Sequence, residues 1–249
     1  MQVSRDQIID FLSAYFKKQR GVKAAFLSGS QAFDRQDDLS DIDLRIVADT
    51  EHSDQIVSDL EVALNSFVGI EDSYSPAYAN LKQRFYKLKN ASPFHMLDVL
   101  VFTEEYLPVF LSKQRMGPNP LVFCDESHLI QTIDTLPNSA EAFKVKIDDC
   151  QKQFSFLARI LVERAIKRNR YTEALYFYNA RIILPLIEML RYRYSRVRQD
   201  YGLRYLADDL PGSIVAILDE LHRISSFEDL QKNLDKAEKL FYETVKSGS

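Results

Sequence analysis

Two aspartates, Asp41 and Asp43, stand at alternate positions of an otherwise largely apolar segment. The alternation over residues 39–47 predicts a β-strand that carries both aspartates on one face and isoleucine and leucine side chains on the other. Aspartate is disfavoured in strands, and two neighbouring carboxylates repel each other unless a cation lies between them. Proteins bind Mg²⁺ through one or two carboxylates together with phosphate oxygens. The segment therefore predicts a magnesium site that serves a phosphate-bearing substrate.

A glycine and a serine, Gly29 and Ser30, precede this strand and follow a short apolar run at residues 22–27. The run predicts a buried strand, which ends where the glycine begins a tight turn. Glycine lets the backbone approach a ligand closely, and N–H groups at the start of a helix bind phosphate oxygens. We therefore expect Gly29, Ser30 and the Ser30 hydroxyl to bind phosphate.

A third carboxylate, Asp98, lies within the apolar segment 94–102, which also predicts a strand. A charge inside such a strand is costly without a partner. Beside the Asp41 and Asp43 strand, it would complete a three-carboxylate cluster that can hold one or two Mg²⁺ ions for in-line phosphoryl transfer. Alternatively, Asp98 is the base that takes a proton from an acceptor hydroxyl.

Together these residues resemble the GS…DxD signature of the DNA polymerase β nucleotidyltransferase superfamily. The resemblance covers residues 20–102 and includes Gly29-Ser30, the segment Ser40-Asp-Ile-Asp-Leu44, and Asp98 as the third acidic residue. It implies that Ser30 contacts a triphosphate, that the three aspartates bind Mg²⁺, and that the co-substrate is ATP or another nucleoside triphosphate. It also implies a nucleotidyltransferase fold, a mixed β-sheet flanked by helices.

The second half of the chain resembles the helical domain of nucleotidyltransferases that modify aminoglycoside or lincosamide antibiotics. The resemblance lies in residues 162–170 and in a G-x-x-Y-L element at residues 201–206. It implies that Arg164 and Lys167 reach the triphosphate and that Glu163 is an alternative base. Glu163 and Lys167 are also spaced as a helix-surface ion pair, which requires no catalytic role.

The pattern of elements predicts an α+β domain over residues 1–135 and an all-α bundle over residues 140–247, divided at the turn-rich segment 136–139. The predicted helices cover residues 5–18, 53–67, 142–167, 171–194, 215–224 and 227–245, and strands are predicted at 22–27, 39–47, 81–88, 94–102 and 121–123. Pro185 is expected to kink the fourth helix.

Composition limits the class of protein. The net charge of −4 argues against a generic nucleic-acid coat protein, and nucleic acid is not an expected partner. The two cysteines lack the paired spacing of a disulfide scaffold or a zinc ribbon. The polar start of the chain lacks a signal peptide, and no apolar run spans a bilayer. We therefore expect a cytoplasmic protein without a membrane partner, and a homodimer remains open.

Two further clusters predict structure rather than chemistry. The aromatic run Tyr176, Phe177 and Tyr178 predicts core packing. The arginine run Arg191, Arg193, Arg196 and Arg198 predicts a solvated helix end.

The sequence thus favours an enzyme that transfers a nucleoside monophosphate, most simply AMP from ATP, to a hydroxyl of a small acceptor such as an aminoglycoside or a lincosamide. Pyrophosphate leaves, and antibiotic resistance is the expected biological role. Two alternatives stay open. One is a protein-modifying nucleotidyltransferase of the antitoxin type, and the other is a nucleotide-binding regulator without turnover.

Overall fold

The chain forms two compact units, Met1–Thr135 and Leu136–Ser249. A computed structural model describes residues 2–77, 81–134 and 140–246, so the predicted dividing turn at 136–139 lies outside the described residues. The first unit contains a six-stranded mixed sheet with helices, and the second is helical. The predicted α+β fold class is therefore confirmed.

The first unit is built on one sheet with the strand order β3-β4-β5-β2-β1-β6. Its elements are α1 (Arg5–Phe16), β1 (Val22–Leu27), β2 (Ile42–Ala48), α2 (Ser53–Phe67), β3 (Ile70–Tyr74), β4 (Lys82–Leu88), β5 (Leu97–Phe102), α3 (Leu107–Phe110), α4 (Lys113–Met116) and β6 (Leu121–Asp125). Strands β2 and β5 pair in parallel, whereas the other pairs are antiparallel. The parallel pair at the centre brings the starts of β2 and β5 together.

Apolar side chains on both faces of the sheet hold it in place. Ile42, Leu44 and Ile46 of β2 belong to the core that also contains the buried side chains of α1 and α2. Val47 belongs to a second cluster, which includes Leu100 of β5. Because strand side chains alternate, Asp43 and Arg45 share the face of Val47. The face of β2 that packs against α1 and α2 is thus wholly apolar, and the charged side chains of β2 all lie on the other face.

Helix α1 begins where local sequence dictates. Ser4 accepts a hydrogen bond from the N–H of Gln7, and the Gln7 side chain accepts one from the N–H of Ser4, which forms a capping box. Ile8 and Leu12 are fully buried at helical spacing. The helix predicted over residues 5–18 is confirmed, with its end at Phe16.

Two features of the sheet differ from the predictions. Strand β3 was missed, because it is a partly exposed edge strand whose residues Glu71 to Ser73 are polar. Strand β2 begins at Ile42 rather than at residue 39, so Asp41 lies directly before the strand. Strand β5 likewise begins at Leu97 rather than at residue 94. The strands predicted at 81–88 and 121–123 are confirmed as β4 and β6, and β4 pairs with β5 in the antiparallel direction.

The second unit contains α5 (Ala140–Gln153), α6 (Arg159–Lys167), α7 (Tyr171–Tyr178), α8 (Leu184–Tyr194), α9 (Leu206–Asp209), α10 (Gly212–Leu221) and α11 (Phe227–Lys246). The π-helical segments Phe154–Ala158 and Asn179–Ile183 join α5 to α6 and α7 to α8. Pro185 is the second residue of α8, and its missing N–H and its ring cannot fit a regular α-helical turn over the residues before it. The predicted kink is therefore a local widening of the helix.

The prediction of a solvated arginine run is wrong for two of its members. Arg191 is 0% exposed, and Arg198 is also buried. Both guanidinium groups contact the Asp209 carboxylate, at 2.5 Å from Arg191 and 2.8 Å from Arg198. Arg193 and Arg196 are exposed as predicted. Burial here depends on Asp209, which comes from a later segment than the arginines.

The aromatic run is only partly core. Tyr178 is fully buried and its hydroxyl donates to the carbonyl oxygen of Leu221 at 3.0 Å. Tyr176, in contrast, is 63% exposed, so the prediction of core packing is wrong for this residue. The two side chains point to different sides of α7, as their spacing requires.

Candidate active site

Asp43 and Asp98 lie next to each other on the two central strands. They are direct partners in the parallel register of β2 and β5, and both follow the first residue of their strand. The Arg45 guanidinium lies between the two carboxylates. Its Nη2 atom is 2.7 Å from Asp43 Oδ1 and 3.1 Å from Asp98 Oδ2. The structure thus brings two of the predicted aspartates together, with a positive charge between them.

Arg45 is a buried residue that sequence analysis missed. Its Nη1 atom donates to the carbonyl oxygens of Asp98 at 3.2 Å and Leu44 at 3.3 Å. Its side chain is only 8% exposed. The sequence contains a signal for Arg45, because it continues the alternation of Asp41 and Asp43 on a strand whose centre is otherwise apolar. A buried arginine needs a carboxylate partner, so the same strand could have indicated the contact with Asp43.

Asp98 accepts a second hydrogen bond from the opposite side. Gln83 on β4 donates from Nε2 to Asp98 Oδ1 at 2.7 Å. Burial raises the pKa of Asp98, and the contacts with Arg45 and Gln83 only partly offset that effect. Each carboxylate oxygen of Asp98 therefore has a donor, and its proton affinity remains above that of an ordinary aspartate.

The negative charges of Asp43 and Asp98 both act on the Asp41 carboxyl group. Burial, followed by the negative charges of Asp43 and Asp98, raises the pKa of Asp41 to about 6, while Arg45 acts in the opposite direction. The three predicted aspartates therefore form one electrostatic cluster at the start of β2 and β5.

The predicted phosphate-binding turn lies against Asp43. Gly29 has a φ of +63°, and a Cβ atom there would be 2.0 Å from Asp43 Oδ2. A glycine is required at this position for both reasons. Oδ1 of Asp43 faces Arg45, whereas Oδ2 faces the turn.

Three backbone N–H groups of this turn are unused. The N–H of Gly29 donates to the carbonyl oxygen of Met116 at 3.0 Å, so it does not serve a phosphate as we had expected. The N–H groups of Ser30, Gln31 and Ala32 have no acceptor among the described residues. Successive N–H groups of this kind form a cavity that binds anions. The N–H groups available to donate to an anion are therefore those of the three residues after Gly29, and a phosphate-binding role for them remains a prediction.

Arg5 ties the turn to the start of β2. Its Nη1 atom donates to Gln31 Oε1 at 2.9 Å, and its Nη2 atom donates to the carbonyl oxygen of Asp41 at 3.4 Å. Arg5 is buried although it is the first residue of α1. A cation in the first turn opposes the helix dipole, which is the one sequence signal that could have indicated a specific role.

A second segment supports the turn from behind. The N–H of Asn119 donates to the carbonyl oxygen of Ala32 at 3.1 Å. Gly117 has a φ of +104°, and a Cβ atom at that position would be 2.4 Å from the Cβ of Ala32. The close approach of the two backbones fixes the conformation of the turn.

The donor chemistry of the cluster fits a magnesium ion that arrives with phosphate oxygens. Within the described residues, no group of three or more histidine, cysteine or acidic side chains is placed to hold a metal ion. Both carboxylate oxygens of Asp98 accept hydrogen bonds and Oδ1 of Asp43 contacts Arg45, which leaves Asp41 and Oδ2 of Asp43 as the available carboxylate oxygens. Two carboxylates together with triphosphate oxygens are a usual ligand set for Mg²⁺. A cage made of protein ligands alone is a worse fit.

The remaining predicted residues lie on α6 in the helical unit. Arg164 and Lys167 are exposed. Glu163 contacts Arg159, with Oε1 at 2.7 Å from Nε, rather than Lys167 as its spacing had suggested. Their predicted roles toward a triphosphate or an acceptor remain predictions.

Comparison with known proteins adds little. No protein-family model and no curated protein matches the chain. Among solved structures, the chain is similar to an aminoglycoside 6-adenyltransferase from Bacillus subtilis, with 13% sequence identity and a TM-score of 0.36, over 98% of this chain and 89% of that one. A likeness of that size carries no argument about activity. Within residues 2–77, 81–134 and 140–246, no helix is long and apolar enough to cross a membrane.

Proposed function

We propose that the first unit is the catalytic domain of a magnesium-dependent nucleotidyltransferase, which transfers a nucleoside monophosphate, most simply AMP from ATP, to a hydroxyl group. One observation carries the proposal. The aspartates Asp41, Asp43 and Asp98 form one electrostatic cluster beside a turn in which three successive N–H groups, at residues 30–32, have no acceptor among the described residues. The resemblance of these positions to the GS…DxD signature supports the same reaction.

The turn binds the triphosphate in this proposal. The N–H groups of Ser30, Gln31 and Ala32, together with the Ser30 hydroxyl, donate to the β- and γ-phosphate oxygens. Arg5 keeps Gln31 and the backbone of Asp41 in register, so that phosphates and carboxylates face each other. Asp41 and Asp43 would hold Mg²⁺. The bound ion would supply positive charge that stabilises the triphosphate as it is attacked.

A base completes the reaction. Once Gln83 releases Oδ1, Asp98 accepts the proton of the acceptor hydroxyl, for which its raised pKa is suited. The hydroxyl oxygen forms a bond to the α-phosphorus, the bond from that phosphorus to the bridging oxygen breaks, and pyrophosphate leaves with the electron pair. Glu163 is the alternative base, but it must first release Arg159.

A small hydroxylated molecule such as an aminoglycoside or a lincosamide is the proposed acceptor, in a cytoplasmic resistance enzyme. This choice rests on the resemblance of residues 162–170 and 201–206 to the helical domain of such enzymes. Arg164 and Lys167 are the proposed triphosphate contacts from that domain.

One observation favours a second candidate, a nucleotide-binding regulator without turnover. Arg45 lies between Asp43 and Asp98, where a catalytic metal cluster would place a cation. Tight nucleotide binding without pyrophosphate release against a broad acceptor panel would support this candidate.

The test is Mg²⁺-dependent release of pyrophosphate from each nucleoside triphosphate in the presence of a panel of aminoglycosides and lincosamides. We expect one antibiotic to elicit release. Asp41→Asn and Asp43→Asn should each lower turnover by at least about a thousandfold, because each removes a charged ligand at the reacting phosphates.

Asp49→Asn is the matched control, since Asp49 lies just after the other end of β2 and pairs with Lys23 at the surface. It should leave turnover unchanged. Full turnover in Asp41→Asn or Asp43→Asn would refute the magnesium site. Release that depends on an added protein rather than on an antibiotic would favour a protein-modifying enzyme.

A further inference from the structure

The position of Arg45 bears on how a metal ion enters this site. Its guanidinium bridges Asp43 and Asp98, with one nitrogen, Nη2, contacting both carboxylates. All three side chains are mostly buried, with exposed fractions of 8% for Arg45, 19% for Asp43 and 10% for Asp98. Without a cation between them, two such carboxylates would repel each other strongly.

We propose that Arg45 is an internal counter-cation that competes with Mg²⁺ for Asp43, so that the metal binds well only together with the nucleoside triphosphate. The proposal rests on the proposed function, because it takes Asp41 and Asp43 as the metal ligands.

The contacts of Arg45 are unequal, and this inequality gives the direction of the exchange. The guanidinium makes a single contact with Asp43. It contacts Asp98 twice, at the carboxylate and at the carbonyl oxygen, and also donates to the carbonyl oxygen of Leu44. It can therefore release Asp43 and stay bound to Asp98. The more exposed of the two carboxylates is the one that is released.

The two oxygens of Asp43 face different partners, which links the exchange to the nucleotide. Oδ1 contacts Arg45, whereas Oδ2 lies against Gly29 of the phosphate-binding turn. Oδ2 is therefore the oxygen of Asp43 that would hold an ion bound together with phosphates on this turn. The triphosphate also brings negative charge, which favours the second cation in a site that already contains Arg45 and Arg5.

Loss of Arg45 should therefore strengthen metal binding to the nucleotide-free protein. The experiment is a titration with Mn²⁺ followed by electron paramagnetic resonance of the free aquo ion, with the full chain and without nucleotide. We expect Arg45→Met to lower the Kd for Mn²⁺ by about tenfold or more, because a positive charge at contact distance is removed from the site. A role of Arg45 in folding alone would not increase metal affinity.

A second measurement tests the coupling with the nucleotide. In the wild-type protein, a non-hydrolysable ATP analogue should lower the Kd for Mn²⁺ strongly. In Arg45→Met the same analogue should change the Kd much less, since the site is already free to bind the ion.

The matched control is Arg84→Met, on the neighbouring strand β4. Strand alternation directs Arg84 to the opposite face from Gln83, which contacts Asp98. Arg84→Met should leave the Kd for Mn²⁺ unchanged, both with and without the ATP analogue. If Arg45→Met does not fold, Arg45→Lys replaces it, because a lysine ammonium is a point charge that cannot bridge two carboxylates as a guanidinium does. It should increase Mn²⁺ affinity to a smaller degree.

The outcomes separate the inference from the proposed function. If wild type binds Mn²⁺ with the analogue, Asp43→Asn abolishes that binding, and folded Arg45→Met binds Mn²⁺ no better than wild type, then only the inference is overturned. If neither wild type nor Arg45→Met binds Mn²⁺ in the presence of the analogue, the magnesium site is wrong and the inference falls with it.

Discussion

Each of the two units contains a buried cluster of arginine and aspartate, and the two clusters have opposite charge balance. In the α/β unit, Arg45 contacts Asp43 and Asp98, so one cation serves two carboxylates. In the helical unit, Arg191 and Arg198 share Asp209, so two cations serve one carboxylate. Each cluster joins residues of more than one segment, since Asp98 lies 53 residues after Arg45 and Asp209 lies 18 residues after Arg191.

The two clusters differ in how their unbalanced charge is satisfied. Arg191 donates from Nε to the carbonyl oxygen of Gly202 at 2.7 Å and from Nη2 to the carbonyl oxygen of Arg204. Its excess positive charge is therefore met by backbone oxygens, and it is 0% exposed. Around Arg45 the excess charge is negative and lies beside a turn where the N–H groups of Ser30 and Gln31 have no acceptor in the described part of the chain. We call the group of Arg191, Arg198 and Asp209 the closed cluster and the group of Arg45, Asp43 and Asp98 the open cluster. A closed cluster stabilises the fold, whereas an open cluster can accept a ligand.

Asp209→Asn should give the largest change in stability, because it removes the negative charge that two buried guanidinium groups contact. We expect the free energy of unfolding of the helical unit to fall by about 3 to 5 kcal/mol. Native-state hydrogen exchange with mass spectrometry measures the effect, since peptides from α8 and α11 can be followed separately from peptides of the sheet.

Asp219→Asn on α10 is the control for this prediction, because Asp219 is exposed. Its effect should stay within about 0.5 kcal/mol, as for most surface substitutions. If both variants exchange alike, the Arg191 cluster does not stabilise the helical unit and the comparison fails.

Gly29→Ala tests how tightly the open cluster confines Asp43. An alanine there must adopt a φ of +63° and place its Cβ 2.0 Å from Asp43 Oδ2. We expect a loss of about 3 kcal/mol in the free energy of unfolding of the α/β unit, from the positive φ and the clash together. Nucleotide binding should weaken as well, which calorimetric titration with ATP and Mg²⁺ would measure.

Gly202→Ala is the counterpart in the closed cluster. Gly202 has a φ of +57°, but nothing lies within 4 Å of its would-be Cβ. It should destabilise the helical unit by about 1 to 3 kcal/mol through backbone strain alone. Its affinity for the nucleotide should equal that of wild type. Equal loss of nucleotide affinity in both glycine variants would show that Gly29 has no special relation to the phosphate turn.

The sequence predicted the open cluster better than the closed one, for a physical reason. Asp41, Asp43 and Gly29 belong to one local strand–turn–strand segment, so spacing and alternation were sufficient to identify them. Arg45 lies in the same segment, and it could have been identified because a charge buried on an apolar strand needs a partner of opposite charge. Gln83 could not be identified, because its contact with Asp98 depends on the antiparallel register of β4 and β5.

The closed cluster had no local signal. Arg191 belongs to a run in which arginine and tyrosine alternate at the end of α8, and such runs are usually solvated. It is buried because Gly202, Arg204 and Asp209 fold back over it. Helix positions, in contrast, were predicted well, because apolar periodicity over 142–167 and 171–194 persists through the π-helical segments.

Arg159→Met should give the smallest change in the free energy of unfolding, although more ion pairs are described for Arg159 than for Arg45 or Arg191. It contacts Glu163 at 2.7 Å, Glu238 at 2.5 Å and Asp235 at 2.9 Å, and links α6 to α11. Its side chain is 35% exposed, so water and salt screen these contacts. We expect a loss below about 1 kcal/mol, and a smaller loss in high salt.

Hydrogen exchange of peptides from α6 and α11 at low and high salt measures this effect. Arg170→Met is the control for a single exposed ion pair, because the one ion pair described for Arg170 is with Glu173. If burial determines the energy of these clusters, Arg159→Met will resemble Arg170→Met and not Asp209→Asn. A loss as large as that of Asp209→Asn would mean that the number of ion pairs matters more than their burial. In that case the contrast between the Arg45 and Arg191 clusters would have to be explained by charge count alone.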